Sequence, residues 1–406
     1  MGNNGQDRHV SRRRVFYIPG YDPIHPRRYR ELYRKEGGDQ ARISSYDLTL
    51  APKGGGGRYG WTVDASMDGR DTHATFDVLV WSDIVRDSMS RSIPATYWQL
   101  ARTAWEYIAS GALFRLMRLR KGPVIAALYP VGMLLLQLAI AVGVAAMVGH
   151  IGGRVLPMWM TWPAGIACAV LLLRWFKKKD GKFFAYYLMH DYAFSAKYRG
   201  ANPPELEARM ADFADDIAGA LTEDVDEVLI VGHSSGAHLA VSILSDLIRQ
   251  KRVPAGGPTL AFLSLGQVVP MVSFLRDADR LRADLRFLSM TDRLCWVDVT
   301  APGDGCAFAL CDPVAVSGVA TDQQKWPIVF SAAFTQTLSP ERWEQLRWRF
   351  FRLHFQYLCA FDRPKDYDYF QITAGPVTLA DRYGDRPQSR SRITRAVNKY
   401  TSVRHD

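Results

Sequence analysis

VDEVLIVGHSSGAHLAVSILSDLIRQ, residues 225–250, is the stretch on which the reading of the fold rests. Val228, Leu229, Ile230 and Val231 form a short β-branched apolar run of the kind that a central parallel strand requires. Gly232-His233-Ser234-Ser235-Gly236 follows and fits G-x-S-x-G. Apolar residues then return at helical spacing through Leu239, Ile243, Leu244 and Leu247. A serine on so tight a strand–helix turn occupies strained backbone, so its neighbours two positions away must be small, and Gly232 and Gly236 meet that need. The register of the two glycines selects Ser234 over Ser235 as the candidate nucleophile. The helix behind it aims its N-terminus, with the Ser235 N–H, at any oxyanion formed beside Ser234.

On this strand, turn and helix together the chain resembles the α/β-hydrolases, as a serine esterase or lipase-like, membrane-anchored member. The resemblance implies a mostly parallel α/β sheet flanked by helices, an oxyanion loop after an early strand, and partners in the order Ser, acid, His. VFYIPGYDP (15–23) supplies the early strand and loop, so Gly20 or Tyr21 would give the second oxyanion N–H; a plain Pro-Gly turn reads equally well. Beyond the turn and its helix two histidines qualify: His354, and His405 in the ragged C-terminal stretch. His354 is the expected base, although RWRFFRLHFQYL looks helical and the family's histidine follows the last strand in a loop. Asp304, in the loop TAPGDG past a strand end, is the expected acid, with Asp298 in the strand as second choice. His233 and His238 read as structural. No metal spacing or cofactor motif is present: GGGG at 54–57 lacks the Lys-Ser/Thr of a phosphate loop.

Two apolar runs interrupt the chain. Residues 122–150 carry no charged side chain and 155–176 only Arg174. Each has about the 20 residues that a spanning helix needs, whereas a soluble helical hairpin would present a polar face. The net charge of +10 gathers in RLMRLRK (115–121), RWFKKK (174–179) and the chain ends. Flanking apolar runs, these charges fit anionic lipid headgroups rather than nucleic acid. The positive-inside rule then places the catalytic domain and both termini in the cytoplasm. Five scattered cysteines without CxxC spacing fit a reducing compartment.

The expected organisation is a basic disordered tail (1–14), the first part of the hydrolase domain (15–114), and an amphipathic lead-in with a transmembrane hairpin (115–180, spans near 123–149 and 155–176). The second part of the domain (181–380) and a basic disordered tail (381–406) complete it. SPERWEQLRWRFFRLHFQYLCAF reads as the last long helix, with Ser339 as N-cap and Pro340 at its first position. The function expected from the resemblance is hydrolysis of an ester or thioester through an acyl-enzyme. Position beside a bilayer points to a lipid or acyl ester substrate. An acyltransferase using the same acyl-enzyme, and a non-catalytic membrane scaffold, are the alternatives.

Overall fold

The computed structural model describes residues 9–89 and 92–404. β1 (Arg12–Ile18) and β5 (Glu227–His233) lie side by side and parallel at the centre of an eight-stranded sheet. On one flank β4 (Arg70–Val78) runs parallel to β1, and β3 (Gly60–Met67) and β2 (Asp47–Pro52) continue antiparallel. On the other flank β6 (Thr259–Leu265), β7 (Cys295–Thr300) and β8 (Ile328–Ser331) are all parallel. The protein is therefore α/β, with a mostly parallel sheet in the order β2-β3-β4-β1-β5-β6-β7-β8.

All seven residues of β5 are buried. Alternate residues feed two cores: Leu229 and Val231 join Val15, Tyr17 and Val297 on one face, while Val228 and Ile230 join Phe16, Phe262 and Trp296 on the other. Burial on both faces is what a strand with no alternation in its sequence implies. The tyrosines near both ends of the chain, Tyr29, Tyr33, Tyr367 and Tyr369, pack into the first of these cores.

The chain between β4 and β5 leaves the sheet. Two helices in it, Lys121–Gly152 and Met158–Lys178, are long and apolar enough to cross a membrane and are mostly exposed along their length. They pack on each other through small residues: a Cβ on Gly165 would lie 2.5 Å from the Ala145 carbonyl oxygen. The stretch IPATYWQLARTAWEYIASGALFRLMRLRK (93–121) reads as one amphipathic helix but forms two, Ile93–Ala109 and Ala112–Leu119, because Gly111 takes φ +74° between them. Trp98 and Trp105 stand out from the first of these at 72% and 71% exposure.

Three further expectations need correction. Residues 9–14 do not form a disordered tail: β1 begins at Arg12, and the fully buried Arg13 pairs with Glu227 of β5 at 2.5 Å. Here a basic run that reads as solvated holds a central strand in register. Residues 1–8 and His405 lie outside the described residues. The stretch from 381 is also tied down: the Ile393 N–H donates to the Leu310 carbonyl and its carbonyl accepts from the Asp312 N–H, and Asn398 Nδ2 donates to the Ser273 carbonyl. Finally, the last long helix is broken into Pro340–Leu346 and Phe350–His354, followed by a 3-10 turn at Gln356–Leu358. Ser339 does cap its start, accepting from the Arg342 N–H at 3.2 Å.

Candidate active site

Ser234 stands between the end of β5 and the helix Gly236–Arg249 with φ +56°, in the left-handed region that a non-glycine residue occupies only when its surroundings enforce it. The enforcement is visible. The Ser234 N–H donates to the Leu265 carbonyl at 2.9 Å, tying the turn to the end of β6. A Cβ on Gly232 would lie 2.8 Å from the Ala237 Cα, and one on Gly236 would lie 2.1 Å from the Ile18 carbonyl oxygen. The small residues of the pentapeptide thus let β1, β5 and the helix close on one point. Their closeness brings Gly20 against the serine: a Cβ at position 20 would be 3.0 Å from Ser234 Cβ and 3.4 Å from its Oγ. Ser235 is buried at the helix start, and Tyr21 is buried beside Gly20 with its hydroxyl 2.7 Å from Ser88 Oγ. The Trp81 indole N–H holds this loop through the Pro19 carbonyl at 2.9 Å.

Asp304 and His354 meet, although 50 residues separate them: His354 Nδ1 lies 2.7 Å from Asp304 Oδ2 in a buried contact. The break before Phe350 is what makes this possible, since it places His354 at the end of a five-residue helix instead of within a long one. The carboxylate also accepts from the Tyr357 hydroxyl at 3.0 Å and from the Cys306 N–H at 2.8 Å. Burial pushes the Asp304 carboxyl up, but the His354 charge and these three hydrogen bonds outweigh it and leave it below the usual carboxylate range. An ionised Asp304 fixes the proton of His354 on Nδ1 and leaves Nε2 free to accept another.

Ser234 and His354 flank the same two residues. Leu265 holds the serine, and at Gly266, with φ +54°, a Cβ would come within 3.1 Å of His354 Cε1 and 2.7 Å of the Tyr357 ring. Among the described residues no hydrogen bond joins Ser234 to the imidazole. Such contacts are commonly long without substrate and tighten in the complex.

Asp298, the alternative acid, makes no hydrogen bond or ion pair with His354 among the described residues. It is held within the sheet, where its Oδ1 accepts from Ser264 Oγ at 2.6 Å, and burial pushes its carboxyl up to about 8. His238 is buried in its helix, where desolvation holds it down to about 4. His233 has more to do than its sequence position indicates. Burial and the charge on His354 hold its ring down at about 3, and the neutral ring donates from Nε2 to the His354 carbonyl at 3.0 Å. His233 and Tyr357 therefore brace His354 and Asp304, and neither was legible as a partner from spacing alone. A further carboxyl, Asp191 on the helix Ala185–Lys197, lies within electrostatic reach of His354, and burial raises it to about 7.

Asp304, Cys306 and His354 also place possible metal-ligand atoms within 4.8 Å of one another. They make a poor metal site. The aspartate and histidine already spend Oδ2 and Nδ1 on each other, and burial raises the Cys306 thiol well above its ordinary range, keeping it neutral.

No family model, curated protein or solved structure matches this chain.

Proposed function

We propose that this protein is a membrane-anchored serine hydrolase of the α/β-hydrolase type, acting on an ester or thioester of a lipid or acyl group. The observation that carries the reading is the meeting of three features at adjacent strand ends: a serine at φ +56° on a strand–helix turn, a 2.7 Å Asp304–His354 pair, and Gly20 against the serine.

In this reading Ser234 Oγ attacks the substrate carbonyl carbon while His354 Nε2 takes the hydroxyl proton. Asp304 stabilises the imidazolium through Nδ1–H. The Ser235 N–H, with that of Gly20 or Tyr21, holds the negative oxygen that develops; one such donor is worth about 2.7–4 kcal/mol in comparable sites. The alcohol or thiol leaves with the proton from His354, and an acyl-serine remains. Water then attacks the acyl carbon and gives a proton to His354, which passes it to Ser234 Oγ as the acyl–oxygen bond breaks and the carboxylic acid is released. The two apolar helices anchor the enzyme, and Lys and Arg at their common end support a topology with both termini and the active site in the cytoplasm.

Purified full-length protein in detergent should hydrolyse a chromogenic ester with a burst equal to the enzyme concentration, and Ser234→Ala should remove both burst and turnover. Turnover that survives in Ser234→Ala would sink the proposal. An acyl acceptor that diverts product from acid to a new ester would make the protein an acyltransferase with the same intermediate.

A further inference from the structure

The helix Lys121–Gly152 does more than enter the membrane. Its first turns pack on the loop that carries Asp304: a Cβ on Gly122 would lie 3.4 Å from the Gly305 carbonyl oxygen. The chain returning from the hairpin packs on the other components. Phe184 meets Phe351 with ring centroids 5.5 Å apart, and the Tyr187 hydroxyl donates to the Tyr21 carbonyl. Between these contacts lies a groove of about 800 Å³. Its walls are Ile125 and Ala126 of the membrane helix, Phe184 and Leu188 beyond the hairpin, and Phe350 and Phe351 just before His354. Gly305 and Cys306 line it next to Asp304.

We infer that this groove takes the acyl chain of an anionic membrane lipid directly from the cytoplasmic leaflet and leads its ester to Ser234. The inference rests on the hydrolase reading above. Three observations select this occupant. One wall is the beginning of a helix apolar enough to span a bilayer, so the groove is continuous with the level at which acyl chains start. Trp348 and Phe350, at the rim, stand 71% and 47% exposed, as side chains do that enter the interface. Lys182 and Arg349 also line the groove and form no ion pair with any described residue, so two cations are left for a headgroup phosphate. Arg352, beside them, is already engaged by Glu36 at 3.1 Å.

The test is photocrosslinking of the full-length protein in phosphatidylcholine vesicles doped with a phosphatidylglycerol whose acyl chain carries a diazirine. Crosslinks should map to residues 122–129 and 348–352. Leu188→Trp and, separately, Ala126→Trp should reduce them at least ten-fold while the melting temperature confirms folding. The double variant Lys182→Ala, Arg349→Ala should abolish any preference for the phosphatidylglycerol probe over the matching phosphatidylcholine probe. Excess free palmitate should not displace either probe. Crosslinks confined to the outward faces of the two membrane helices, or undiminished in both tryptophan variants, would overturn the inference. Equal capture of the two probes by the wild-type protein would overturn its anionic specificity, and displacement by palmitate its bilayer source. Because Ser234→Ala should crosslink as well as wild type, loss of hydrolysis and loss of the groove register separately.

Discussion

Gly236→Ala is the substitution that most sharply probes how the candidate site is assembled. A Cβ at 236 would lie 2.1 Å from the Ile18 carbonyl oxygen and 2.7 Å from that of Pro19. Carbon and carbonyl oxygen normally approach no closer than about 3.3 Å, so the exit of β1 must recede by about 1 Å. It cannot rotate away, because Ile18 is paired in register with Gly232. The displaced segment is the one that carries Gly20 and Tyr21, so the oxyanion donors proposed above would move relative to Ser234. Misplacement of about 1 Å can cost roughly 10²-fold in rate, and overpacking of this kind costs about 1–3 kcal/mol in stability. The rate of labelling by a fluorophosphonate should therefore fall by about two orders of magnitude, with a lower melting temperature. Gly219→Ala is the comparator: position 219 lies in the helix Pro204–Ala220 with no atom within 4 Å of the new carbon. That change should leave labelling unaltered and stabilise by about 0.5–1 kcal/mol. Wild-type labelling and stability in Gly236→Ala would refute the idea that close packing of β1 on the turn aligns the site.

Other expectations follow from the same geometry. Asp304→Asn should reduce turnover by about 10⁴-fold, because the amide no longer fixes the imidazole tautomer, whereas Asp298→Asn should leave turnover close to wild type; steady-state kinetics on a soluble ester compare them. Asp298, raised in the fold to about 8, binds its proton more tightly folded than unfolded, so its contribution to stability is complete below about pH 4 and is lost as pH rises towards 8. Melting curves from pH 4 to 9 should show Asp298→Asn losing less stability over that window than wild type. Tyr357→Phe removes a bond to Asp304 and leaves the Ala301 N–H without its 2.9 Å partner, which should destabilise by about 2–4 kcal/mol in a denaturant titration. Neutralising Lys177, Lys178 and Lys179 should weaken vesicle binding by about 1 kcal/mol per residue at low salt and by less at high salt, read by co-flotation. Replacing 122–176 with a flexible linker should impair soluble and membrane esters alike, since the first turn of the hairpin packs on the Asp304 loop; unchanged turnover on soluble esters would reduce the hairpin to a tether.

What was legible in the sequence followed from local patterns. The β5 run, the two glycines and the helical spacing behind them locate the turn, and long uncharged apolar runs locate the membrane-compatible helices. Pro-Gly after an apolar run likewise marked the segment that approaches Ser234. Tertiary relations were less legible. A continuous helix through His354 is the natural reading of RWRFFRLHFQYL, yet it breaks before Phe350 and again after His354, and Phe351 and Tyr357 pack on different partners. The arginines of residues 12–14 read as tail because composition cannot reveal that Glu227 will be buried opposite Arg13. Residues 381–404 are polar enough to suggest disorder, but their backbone hydrogen bonds to the 310–312 turn lie about 80 residues away in sequence. The bracing of His354 by His233 belongs to the same class, because it runs from a side chain to a distant carbonyl.

The central claim, that Ser234 is an activated nucleophile, is tested most directly by treating the full-length protein with a fluorophosphonate and mapping the adduct by mass spectrometry. The account predicts one stoichiometric adduct on the peptide containing Ser234, absent in Ser234→Ala and slowed by orders of magnitude in His354→Ala. A folded protein that remains unlabelled, or an adduct on another serine, would contradict it.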